Sequence, residues 1–305
     1  MKNSPYYKQA ELLLKILPLI NHDKELALKG GTAINFFIRE LPRLSVDIDL
    51  VYLPIEDRDT TLTGITNKLK SIGNLVQSSI SGVQIIERKL KNTENLCGIQ
   101  VRTSDALIKI EPNTVIRGSV YEPEEITLCS KAEDIFELSL KMQCLALPDL
   151  YGGKICAALD RQHPRDLFDI KLLLENEGLT EKIRKAFLVY LISHDRPIVE
   201  LLNPNMNDLS TEFEQEFTGM TENKLELSEL TDTFNTLKEL IKISLKDDEK
   251  NFLLSFKRKE PKWELLGLDN INVLPSVKWK QINLGRMKVE KHREAYERLE
   301  KFLIS

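Results

Sequence analysis

Ser45-Val46-Asp47-Ile48-Asp49-Leu50 alternates apolar and acidic side chains with a period of two. That is the pattern of a half-buried β-strand, with Val46, Ile48 and Leu50 toward a core and both carboxylates on the opposite face. Asp47 and Asp49 then stand about 6–7 Å apart along the chain. Two hard oxygen ligands at that spacing suit one or two Mg²⁺ ions, with Mn²⁺ as the alternative. A solvated strand face also carries acids, so the pair by itself does not establish a metal site. Upstream, Lys29-Gly30-Gly31-Thr32 precedes a helix predicted over residues 33–40. Glycines let the backbone approach a ligand closely, and a helix start offers N–H groups to a phosphate. The same four residues also read as a tight turn with Thr32 as helix cap.

Working outward, the spacing predicts a helix over 6–20, which Pro18 would end early, and a second over 57–72 that closes at Gly73. Strands are predicted over 45–53, 83–90, 97–103, 106–111 and 126–128, with a hairpin across Ser104-Asp105. Helices follow over 133–140, 149–159, 165–176, 179–193, 227–244 and 288–303, and 203–221 reads as a polar loop. The expected fold class is α+β: a domain over 1–130 with a mixed sheet flanked by helices, then a mostly helical domain over 131–305.

At 305 residues, 42% hydrophobic and 30% charged, the chain has the makings of a buried core, which excludes a disordered or fibrous class. No apolar run approaches the roughly 18 residues of a membrane span, and the start lacks the apolar core of a signal peptide. Cys97, Cys129, Cys144 and Cys156 form no C-x-x-C pair and read as free thiols of a cytoplasmic protein. The net charge of −4 conceals a polarity. Residues 1–194 carry 25 basic against 26 acidic side chains, 195–250 carry 6 against 14, and 251–305 carry 12 against 7. The basic tail interleaves aromatics with cations at Lys257-Arg258-Lys259 and Lys278-Trp279-Lys280, a pattern suited to RNA backbone and base stacking. It equally suits a solvated face paired with the acidic segment. Packing of Trp263 and Trp279 among the last helices is favoured over stacking on bases, and His163 reads as a turn residue.

Two further sets of residues suit phosphate chemistry. Ile108-Lys109-Ile110-Glu111 ends a strand with a third acid, placed to join Asp47 and Asp49 as a metal ligand or as a base. Lys154 and Arg161, seven apart, share a helical face. Turned toward the acids, they would neutralise a triphosphate and its leaving pyrophosphate. Asp166 and Asp169, three apart on the next helix, would orient those cations. Ordinary surface salt bridges would give the same spacing.

Lys29-Gly30-Gly31-Thr32, Arg43-x-Ser45-x-Asp47-Ile48-Asp49-Leu50, Ile108-Lys109-Ile110-Glu111, and Lys154 followed by Arg161 and Arg165-Asp166-x-x-Asp169 together resemble the AbiEii/AbiGii toxin family. Those proteins are nucleotidyltransferases of the DNA polymerase β superfamily and include the MenT-type toxins. The resemblance implies a polymerase-β-like nucleotidyltransferase domain and a type IV toxin–antitoxin system with a separately encoded antitoxin. It implies metals on Asp47 and Asp49, with Glu111 as the added acid. Lys29, Gly30, Gly31, Thr32 and Ser45 would lie at the nucleotide. Lys154, Arg161 and Arg165 would lie at its phosphates, and Asp166 or Asp169 would complete the site. The implied reaction moves a nucleoside monophosphate from an NTP to an acceptor, the tRNA 3′ end in many such proteins, which would inhibit translation and growth. A protein acceptor, or a glycosyltransferase built on the Asp-x-Asp pair, are the alternatives.

Overall fold

The computed structural model describes residue 4 and residues 6–304. Two compact units are present: one runs up to Ala146 and takes in Thr218–Lys224, the other comprises Leu147–Phe217 with the chain from Leu225 onward.

In the first unit seven strands form one mixed sheet: β1 Leu26–Lys29, β2 Asp47–Tyr52, β3 Gln84–Lys89, β4 Leu96–Arg102, β5 Leu107–Asn113, β6 Glu124–Thr127 and β7 Lys141–Cys144. Their order is β3-β4-β5-β2-β1-β7-β6. β2 lies antiparallel to β1 and parallel to β5. The helices are α1 Tyr7–Ile20, α2 Gly30–Ala33, which continues into a π-helical turn Ile34–Ile38, α3 Arg58–Ser79 and α4 Ser130–Phe136. One sheet face is apolar: Ile48 and Leu50, Ile108 and Ile110, Ile99 and Val101 are all buried. α3 closes on that face, where Gly73 leaves its missing Cβ only 3.3 Å from Ile85 Cγ2. The other face carries Asp47 and Asp49, as the alternation requires.

The structure corrects several sequence expectations here. α1 runs through Pro18 to Ile20: the proline forfeits a helical hydrogen bond, but Leu17 and Ile20 are buried and the Asn21 N–H still closes on Leu17 O. α3 likewise runs through Gly73 to Ser79, the glycine serving close packing rather than termination. The helix expected over 133–140 ends at Phe136, where Glu137 turns left-handed, and the chain then enters β7. β7 pairs with β6 and β1, so the sheet unit ends after Ala146 and not at 130.

The second unit is helical: α5 Leu147–Asp160, α6 Pro164–Asn176, α7 Glu181–Ser193, α8 Ile198–Leu202, α9 Ser210–Glu212, α10 Leu227–Ser244, α11 Asp247–Lys257, α12 Pro275–Gly285 and α13 Val289–Ile304. α5 and α7 approach so closely that a Cβ on Gly152 would lie 2.9 Å from the backbone of Ala186 and Phe187. The stretch expected as a polar loop contains α9 and a π-helical turn, Phe213–Phe217, which buries Phe217 against Phe168 at 5.6 Å. Trp263 packs against Phe252 and Phe256 as expected. Trp279 does not pack inward; it is 45% exposed. The four cysteines are free, and no helix is long and apolar enough to cross a membrane among the described residues.

Candidate functional site

In the first unit the site is built where β1 gives way to α2. Gly30 has φ +71°, a left-handed conformation that an L side chain enters at about 1–2 kcal/mol. Its absent Cβ would lie 2.5 Å from Asp49 Oδ2, so the backbone meets the carboxylate with nothing between them. Lys29 and Asp49 pair in register across β1 and β2. Gly31 is equally constrained: a Cβ there would stand 2.5 Å from Arg43 Nη2 and 3.2 Å from Ser45 Oγ. Arg43 is buried and donates to its neighbour's carbonyl, Leu44 O, at 3.0 Å.

Thr32 and Ser45 are both buried, and their hydroxyls are hydrogen-bonded at 3.0 Å. Thr32 Oγ1 also lies 2.6 Å from the carbonyl of Asp47 and donates to it. These hydroxyls tie the start of α2 to the start of β2. Asp47 and Asp49 are half-buried on the face above. Glu111 pairs in register with Asp49 on the neighbouring strand. Its carboxylate is taken by Arg88, which reaches it from β3. The strand between them offers Gly98, whose absent Cβ would lie 3.3 Å from Glu111 Cγ. A side chain at that position would crowd the Ile110 carbonyl at 2.9 Å and the Glu111 side chain.

Among the described residues no group of three or more His, Cys, Asp or Glu side chains forms a metal cluster. Two half-buried carboxylates with a tight glycine turn beside them do fit Mg²⁺, which keeps several waters and takes one or two carboxylates plus substrate phosphates. They do not form an all-protein cage.

The second unit holds Lys154 on α5 and Asp166 and Asp169 on α6. Lys154 Nζ lies 2.8 Å from Asp166 Oδ1 and 3.0 Å from Asp169 Oδ2, and all three are at least nine-tenths buried. Arg161 joins from the α5–α6 connection, its Nε 2.6 Å and Nη2 3.1 Å from the two Asp166 oxygens, with its own side chain 64% exposed. Burial alone would raise the Asp166 carboxyl, but Lys154 and Arg161 outweigh it and hold the group well below the usual carboxylate range. His163 caps α6, its Nδ1 accepting from Arg165 N at 3.1 Å, and Nε2 lies 3.0 Å from Glu216. The Arg165 guanidinium lies 3.8 Å from the same carboxylate.

The sequence-predicted residues therefore fall into two groups. Lys29, Gly30, Gly31, Thr32, Ser45, Asp47, Asp49 and Glu111 belong to the sheet unit; Lys154, Arg161, Arg165, Asp166 and Asp169 belong to the helical unit. Arg88 and Gly98 were not anticipated. A glycine inside a strand pattern does signal close approach of another group, but only the strand register says which.

A family model described as nucleotidyl transferase AbiEii toxin of a type IV toxin–antitoxin system matches residues 11–280. Among solved structures the chain is similar to MenT4, a nucleotidyltransferase toxin from Mycobacterium tuberculosis H37Rv, at 13% sequence identity and a TM-score of 0.60. That likeness covers 90% of this chain and 93% of the other, and at this identity it speaks for the fold. A comparison with curated proteins gave no match.

Proposed function

Because the chain belongs to the AbiEii nucleotidyltransferase toxin family of type IV toxin–antitoxin systems, we propose that it transfers a nucleoside monophosphate from an NTP to an RNA 3′ hydroxyl, with tRNA as the first candidate acceptor. Translation and growth then stop until a separately encoded antitoxin intervenes. The observation that carries this reading is the pairing of Asp47 and Asp49 on one face of β2 with the Gly30 backbone set directly against Asp49. The glycosyltransferase alternative gives way to the family match.

In this reading Asp47 and Asp49 would hold Mg²⁺ or Mn²⁺, which would supply positive charge to the α-phosphate when bound. The acceptor oxygen forms a bond to the α-phosphorus while the bond to the bridging oxygen breaks. Pyrophosphate leaves and the hydroxyl proton passes to water. Gly30 and Gly31 admit the Asp49 carboxylate and the Arg43 guanidinium against the backbone, and Thr32 ties that turn to Ser45 and Asp47. Glu111, in register beside Asp49 and ion-paired with Arg88, would be the third acid of that set. Within the helical unit, Asp166 holds Lys154 and Arg161 together, a pair of cations of the kind that suits triphosphate charge.

The test incubates the purified chain with Mg²⁺, bulk tRNA and each α-labelled NTP in turn, beside Asp47→Ala. Label entering tRNA from one nucleotide, absent in the variant, is the expected result. Label in an RNase-insensitive protein band instead would move the acceptor to protein. Equal labelling by Asp47→Ala would overturn the site.

A further inference from the structure

The sheet face that bears Asp47 and Asp49 continues outward across β5, β4 and β3. Register places Lys109 beside Asp47 and Gln100 beside Lys109. One step toward the β4–β5 turn, Arg102 pairs with Leu107. Residues two apart share a face, so Lys109, Arg102, Gln100 and Arg88 all stand on the side of the two aspartates. Lys109, Arg102 and Arg88 are exposed. Arg88 and Glu111 neutralise one another across Gly98. Lys109 and Arg102 have no ion-pair partner among the described residues. The reaction acids thus border a sheet surface that carries Gln84, Gln100 and two cations without an ion-pair partner among the described residues, with Ile86 and Leu107 half-buried between them, in a chain whose net charge is −4.

We propose that this face of β3, β4 and β5 binds the phosphodiester backbone of the acceptor nucleic acid, with Lys109 and Arg102 contacting phosphates near the reacting end. The proposal rests on the reading that the acceptor is RNA. Lys109 and Arg102 are diagonal neighbours on adjacent strands, about 7–8 Å apart at the backbone. Their long side chains give each a separate phosphate to meet. Exposed cations of this kind contribute salt-dependent binding that carries no base information. The face also lacks an aromatic side chain on which a base would stack. Sequence-indifferent grip next to the chemistry is the expected behaviour.

The test uses the full chain carrying Lys109→Gln with Arg102→Gln, fluorescently labelled bulk tRNA, and binding isotherms from 50 to 200 mM salt. A second variant, Lys259→Gln with Lys262→Gln, removes the same charge from exposed positions of the basic C-terminal segment. Thermal melts confirm that both variants fold. We expect the sheet variant to bind tRNA about tenfold or more weakly at 50 mM salt. Its log–log salt slope should be shallower by about 1.4–1.8, as two lost phosphate contacts require. Mg²⁺–NTP affinity should be unchanged, and the tail variant should keep the parent slope. Unchanged tRNA affinity and slope in the sheet variant would overturn the proposal, as would parent protein that binds no tRNA, or a loss confined to the tail variant. Labelled tRNA with an unaffected sheet variant sinks this surface and leaves the nucleotidyltransferase reading standing. A weakened sheet variant in a parent that labels no RNA does the reverse.

Discussion

Gly30 joins two demands at one residue, a positive φ and a carboxylate oxygen where its side chain would be. A methyl there costs about 1–2 kcal/mol in backbone strain and drives Asp49 from its position. Gly30→Ala should therefore lower the melting temperature by a few degrees and reduce nucleotidyl transfer more than a hundredfold. Asp47→Asn, which keeps the shape and removes the charge, should abolish transfer with the melt almost unmoved. A Gly30→Ala enzyme with parental turnover would remove the glycine turn from the site; calorimetry and the label-transfer assay read both variants. At this scale the sequence was eloquent about Asp47, Asp49 and the glycine pair, because the period of a strand and the rarity of Gly-Gly are local signals. It was silent about the Thr32 hydroxyl bonding Ser45 and the Asp47 carbonyl, and about Arg88. Those roles depend on which residues of distant strands lie opposite one another, and register is not written in a local pattern.

The α5–α6 pair is held by charge as much as by packing. Removing the lysine with Lys154→Met takes from the buried Asp166 and Asp169 the cation they share, a loss of about 3–5 kcal/mol. The pH dependence should also change sign. In the parent, the depressed Asp166 contributes stability that is present above its unfolded value near 3.8 and is lost as pH falls through the lower folded value. The parent melt should thus vary little from that carboxylate between pH 8 and 5. In Lys154→Met, burial raises a carboxylate that has lost its cation, so stability should grow as pH falls over the same range. A flat or parental profile would show that the lysine does not hold these acids. Gly152→Ala presses a methyl against the α7 backbone and should cost about 1–3 kcal/mol, read by denaturant midpoint. Long periodic helices such as α10 were legible from end to end, whereas β7, which lies between the helices predicted over 133–140 and 149–159, was not predicted as a strand. Its four residues are too few to show a period, and it is a strand because β1 and β6 flank it.

The chain leaves the sheet unit after Ala146 and returns to it for seven residues, Thr218–Lys224, before resuming the helical unit. Nothing in the polar composition of 203–221 announces that return. Met220 is buried there, its carbonyl accepts from Leu44 N at 2.9 Å, and Thr221 bridges to Arg43. Lys131 and Glu222 close the same segment at 2.7 Å. Leu44 and Arg43 lead directly into Ser45 and Asp47, so a segment remote in sequence braces the entry to the acid strand. The 11–280 family match includes it, which a reading that stops at the sheet would omit. Met220→Ala should cost about 2–5 kcal/mol, and the loss should be local in kind. Native-state hydrogen exchange should quicken at Leu44 and along β2 while the amides of α5 and α7 keep their parent rates, and nucleotidyl transfer should fall with the opening of β2. Exchange that quickens instead within α5 and α7 would assign Met220 to the helical unit, and the brace on the acid strand would have to come from elsewhere.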